Sequence, residues 1–283
     1  MSSSRTTSNA ARSSDAALNR IQAGARYFFE PDELARETGR QPASPALRLA
    51  LHRLAKRGRI VPVTRRPPGY LIIPPEHASF GAPPVNWWID DCLRRIDPGY
   101  YVALLSAARH WGSSHYARQD TQVMLSKPRA PLVAGRLRVV FFAKARIAGT
   151  PTTTVRNGVA PWRVSTRAAT LLDLMRHQTA VGGLEAIARV ARDLSADIAA
   201  GELIRALDAL DQIPAAQRLG FLFQHLQCDR LAGEIFGWAR GRSDLAVHQP
   251  LELGTPIADQ TARDRRWNIR FDPISAARLA EFR

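Results

Sequence analysis

Three basic side chains recur at every fourth residue in the segment Ser44–Gly58: Arg48, His52 and Lys56. In a helix that spacing puts them on one stripe, away from Leu47, Leu51 and Leu54. Arg53 and Arg57 flank the stripe and Arg59 follows it. Residues of this type at this spacing suit nucleic-acid recognition. An arginine near the N-terminal end of such a helix can pair bidentately with guanine O6 and N7, while cations further along neutralise phosphates. On this reading Arg48, with Ser44 beside it, contacts a base, and Lys56, Arg57 and Arg59 contact the backbone. Arg40 and Gln41, in the tight connection before the helix, are counted with this face. Arg65 and Arg66 occupy a Pro/Gly tip that would enter a minor groove or clasp the backbone. The competing reading is a solvated basic face with no ligand.

Other chemistries fail on their spacing. Gly112-Ser113 followed by Asp120 has the outline of a nucleotidyltransferase site, but Gln122 stands where two-metal chemistry needs a second carboxylate. Lys144 sits near a strand-like run, as a restriction-type nuclease core would want, yet the position two before it is Phe142 rather than an acid. His110 and His115 have no cysteine or acid at ligand spacing. No nucleophile elbow, phosphate loop or dinucleotide fingerprint is present. Asp90-Asp91 reads as a solvated or ion-paired acidic pair, and Trp87-Trp88 and Trp111 as core or interdomain packing. Neither a catalytic group, a metal nor a cofactor is therefore expected.

The elements that must position the basic stripe are legible. Residues 15–24 suit a short helix, and Pro31 to Gly39 a second with Pro31 at its first position. Ser44 caps the third, which carries the stripe. Ile60–Val63 and Tyr70–Ile73 read as strands around the turn Arg65–Gly69. Two strands with a basic tip after a helix-turn-helix describe a wing. The fold class is α+β, with a winged helix-turn-helix domain at 15–73 behind a tail at 1–14. A Pro-rich linker spans 74–84, and a larger mixed domain, a small sheet with a helical bundle, fills 85–283. In that domain helices are expected over 85–97, 101–111, 167–177, 183–194, 200–210, 215–227 and 229–239. Strands are expected at 121–125, 137–143, 162–165, 245–248 and 267–271, with a loop or hairpin over 146–161.

Composition agrees with this organisation. The 283 residues suffice for one large or two ordinary domains, and 45% hydrophobic against 23% charged is a globular balance. The net charge of +15 favours a polyanionic partner, and residues 1–80 hold 13 basic against 6 acidic side chains. Without a long apolar run, a secretory h-region or a cysteine framework, the chain reads as cytoplasmic and free of the membrane.

The second domain carries a resemblance. A Tyr-rich Ala-Leu-Leu-Ser-Ala-Ala helix and a strand group lead into Val164-Ser165-Thr166-Arg167-Ala168-Ala169-Thr170-Leu171-Leu172-Asp173-Leu174. Gly182-Gly183-Leu184-Glu185 and Gln217-Arg218-Leu219-Gly220 follow. Together with the winged helix, this order resembles the AbiEi family of antitoxins from abortive-infection, type IV toxin–antitoxin systems, over most of residues 20–283. Where relatives often read Thr-Pro-Glu, this chain has Thr166-Arg167-Ala168, which alters the capping of the helix that follows. The resemblance implies a repressor that binds inverted repeats of double-stranded DNA in its own promoter. It also implies a nucleotidyltransferase-like toxin as functional partner, countered without a stable complex. The readings set against it are a DNA-targeted nuclease or nucleotidyltransferase, and a regulator that senses a ligand through residues 85–283.

Overall fold

The computed structural model describes residues 13–113, 120–156, 159–240, 242 and 248–282. Three helices open it: α1 (Ser14–Ala23), α2 (Pro31–Thr38) and α3 (Pro45–Lys56), with β1 (Phe28–Phe29) between the first two. Pro31 and Pro45 begin α2 and α3 where a missing N–H costs nothing, and Gly39 and Gly58 end them at φ +67°. The antiparallel hairpin β2 (Ile60–Arg65) and β3 (Pro68–Ile72) joins β1 in the order β1-β3-β2. Leu18, Leu34, Leu47, Leu51, Leu54, Ile60 and Ile72 close this core. The arrangement is the winged helix-turn-helix expected.

The second unit is built on a six-stranded mixed sheet in the order β6-β7-β5-β4-β9-β8. Its strands are β4 (Tyr101–Val102), β5 (Asp120–Leu125), β6 (Leu132–Ala134), β7 (Leu137–Ala143), β8 (Thr152–Arg156) and β9 (Pro161–Ser165). Short helices α4 (Ile89–Leu93) and α5 (Leu104–His110) accompany it. A bundle follows: α6 (Arg167–Arg176), α7 (Gly183–Ser195), α8 (Glu202–Leu210), α9 (Ile213–His225) and α10 (Asp229–Arg240). A small sheet of β10 (Gln249–Pro250), β12 (Ile269–Phe271) and β11 (Ala262–Asp264), with α11 (Pro273–Leu279), completes it.

Alternation along the strands gives the six-stranded sheet two buried faces. Tyr101 and Met124 face the helical bundle, whereas Val102, Val123 and Leu125 pack with Trp88, Ile89 and Cys92. Phe28, Val63 and Leu71 of the winged helix belong to that second cluster, so the two units share a core. The Pro-rich segment joining them packs as it runs. Ala82 is buried, and Phe80 O accepts from Arg136 N at the β6–β7 turn.

Two helices expected from the sequence are corrected. Over 85–97 only Ile89–Leu93 is α-helical, after a 3-10 turn at Val85–Trp87. Trp88 turns out of helical geometry (φ −137°) to bury its ring and donate Nε1 to Pro83 O at 3.2 Å. Over 101–111 the first two residues form β4, claimed by β5 and β9 on either side, and the helix starts at Leu104. Residues 146–161 do contain a hairpin strand, β8 paired with β9. The strand expected at 245–248 falls mostly outside the described residues, as do tail residues 1–12 and His115. Among the described residues no helix is long and apolar enough to cross a membrane.

Candidate nucleic-acid interface

Helix α3 buries Leu47, Ala50, Leu51 and Leu54 and turns its opposite side to solvent. Ser44 Oγ accepts from Leu47 N at 3.2 Å, so this hydroxyl caps the helix. The regular four-residue stripe is divided in space. Arg48 leans to the wing side, with Nη1 donating to Ala43 O at 3.1 Å, and lines a groove that also holds Glu30, Asp32 and Tyr70. On the other side, Arg53, Lys56 and Arg57 converge with Arg40 on a groove of about 600 Å3 against the start of α1. Arg40 donates to Ser14 Oγ at 3.2 Å there. His52, Arg53 and Lys56 are exposed, and their side chains have no protein partner among the described residues. Gln41 is exposed in the turn before the helix.

Arg57 and Arg59, two expected phosphate contacts, both reach Asp15. Arg57 Nη2 lies 2.9 Å from Oδ2 and Arg59 Nη1 3.1 Å from Oδ1, and Arg59 also donates to Asn19. Half-buried Arg59 thereby ties the end of α3 to α1, and its charge is partly neutralised in place. Arg65 and Arg66 stand exposed at the wing tip, where Gly69 lets the hairpin close over Phe28: a Cβ there would meet the ring and Thr64 Oγ1.

Beside the wing runs a groove of about 730 Å3, walled by Pro62–Arg66 and by Arg129–Val133 from the second unit. Arg129 Nη2 points at Arg66 O, 3.4 Å away, and adds a third guanidinium to the wing tip. Its loop is braced by Asp97, whose Oδ2 accepts from Ser126 N at 2.6 Å. Arg129 is 63 residues from Arg66 in the chain. Nothing local in the sequence links them.

The second unit holds a competing polar cluster. Lys144 Nζ lies 3.0 Å from Asp173 Oδ1 and 3.0 Å from Tyr101 Oη, and Tyr101 Oη donates to Asp173 Oδ2 at 2.7 Å. Burial pushes the Lys144 ammonium below the ordinary lysine range, against the pull of Asp173, and also lowers the His177 imidazole. These groups would suit proton transfer, but Lys144 and Asp173 are 2% and 1% exposed and the hydrogen bonds close among themselves. The cluster pins sheet to bundle. Gln122 is likewise structural: Oε1 accepts from Leu105 N at 2.8 Å, at the start of α5. Asp90 accepts from Tyr100 and pairs with Arg94, while Trp87 packs on Tyr27 of the winged helix.

The motif stretches of the second unit organise its bundle. Thr166 caps α6, with Oγ1 accepting from Ala169 N at 3.4 Å, and Leu171, Leu172 and Met175 are buried. Glu202 of α8 supplies a carboxylate to the first turn of α6, accepting from Ala168 N at 2.9 Å. Arg167 stacks on Trp111 at 4.4 Å. Gln217 and Arg218 donate to Trp267 O and Pro250 O, and Gly220 makes room for the Trp267 ring. These residues dock the last small sheet onto the bundle.

Comparison with known proteins bears on the same region. The fold resembles the crystal structure of the RV2827C protein from Mycobacterium tuberculosis, with a TM-score of 0.63 over 93% of each chain at 16% identity. No curated protein matches the chain significantly. The family model of the AbiEi antitoxin C-terminal domain matches residues 101–225, from β4 to the end of α9. The sheet, its buried Lys144–Asp173 clamp and the first four helices of the bundle are thus the part of the chain that matches the AbiEi antitoxin C-terminal domain.

Proposed function

We propose that the chain is a non-enzymatic antitoxin that also binds double-stranded DNA, repressing its own operon at inverted repeats in the promoter. The observation that carries this reading is the convergence of Arg40, Arg53 and Lys56 on one side of α3, together with Arg65, Arg66 and Arg129 at the wing. Cations held on a rigid winged helix fit a duplex, whose phosphates release counterions as they are neutralised. The functional partner is a nucleotidyltransferase-like toxin, opposed without a stable complex, and the setting is the cytoplasm. The two-fold symmetry of an inverted repeat calls for two copies of the chain on the DNA.

The test is a titration of the full chain against the fragment upstream of its own gene, with scrambled competitor, at several salt concentrations. Lys56→Ala and Arg129→Ala are each expected to weaken binding to all sequences alike and to reduce the salt slope by about one. Arg48→Ala is expected to cost ~1–3 kcal/mol on the specific site and to relax preference at one base position. Binding that is weak, indifferent to sequence and lost with salt would refute the repressor reading.

A further inference from the structure

Leu49 lies on the outer face of α3 with 49% of its surface exposed, among the few large apolar side chains of the described residues left so open. With 3.6 residues per turn it projects almost opposite the buried stripe of Leu47, Ala50, Leu51 and Leu54. His52 and Lys56 lie to one side of it and Arg53 to the other. It packs in none of the hydrophobic clusters. A leucine in this place gives up burial and adds nothing to the charge of the face, so its position fits a ligand that is anionic at its edges and apolar at its centre.

A DNA major groove has that composition. Its walls are phosphates, and the one hydrocarbon group presented on its floor is the C5-methyl of thymine. We infer that Leu49 is a specificity-determining residue that packs on a thymine methyl, while Arg53 and Lys56 hold the flanking phosphates. The inference rests on the DNA reading above and adds to it what the centre of the helix reads. Arg48 stands at the flank of the face rather than at its centre, which leaves the central position to an apolar contact.

The experiment uses the full chain to select duplexes from a random library, then replaces each thymine of the selected site by deoxyuridine, which removes only the methyl. The wild type is expected to lose about fourfold in affinity at one thymine per half-site, the worth of one buried methyl group. Leu49→Ala, which keeps helix propensity, is expected to bind thymine and uracil duplexes equally, and Leu49→Met to retain the preference. A selected site with no methyl-sensitive thymine, or the same sensitivity in wild type and Leu49→Ala, would overturn the inference and leave the repressor reading standing. A chain that selects no sequence at all would overturn both.

Discussion

Lys144, Asp173 and Tyr101 show how little a residue type says about its task. Lys144 is one of three lysines in the chain and directly follows strand β7, near where a nuclease core would carry a lysine. In the folded protein its ammonium meets a carboxylate on α6 and a phenol on β4, and all three are buried. Removing one partner of such a pair strands the other charge in a medium of low polarity. Lys144→Ala is therefore expected to cost ~3–5 kcal/mol, whereas Lys144→Met combined with Asp173→Leu, which removes both charges, costs much less. Denaturant titrations of the three proteins check this, and a double variant as unstable as the single would refute the clamp. Spacing alone could not separate catalyst from clamp, because the deciding partners lie 29 and 43 residues away.

At the scale of elements, α3 followed its local grammar closely. Ser44 caps it, Pro45 opens it, and Leu47, Leu51 and Leu54 face inward. The sequence also places Ser44 beside the base contact, and the two roles can be separated. Ser44→Ala is expected to lower stability by about 1 kcal/mol, and Ser44→Asp to restore it, since a carboxylate caps as well as a hydroxyl. If capping is the only role, Ser44→Ala binds DNA as the wild type does once folded, measured at a temperature where both are native. Helices 85–97 and 101–111 were less legible. Trp88 leaves helical geometry for a buried site, and Tyr101-Val102 is drawn into the sheet between two strands from elsewhere in the chain. Tertiary packing outweighed local periodicity in both.

On the scale of the whole molecule, the winged helix is held fast to the second unit. Arg95 of the second unit reaches Glu30 at 2.6 Å and Glu33 at 2.9 Å at the start of α2, and Phe28, Val63 and Leu71 share a core with Trp88 and Cys92. Calorimetry of the full chain is accordingly expected to show one cooperative transition; two well-separated transitions would refute the shared core. The sequence by itself determined the winged helix, the α+β class, the resemblance of the second domain and the concentration of positive charge at the front. Each of these is written in short-range spacing, caps, turns or composition. Only the tertiary structure decided that Arg59 is spent on Asp15, that Arg129 joins the wing, that Lys144 is sealed in and that Leu49 stands at the centre of the cationic face. Each of those outcomes depends on how separate elements pack in space, and local spacing carries no record of that.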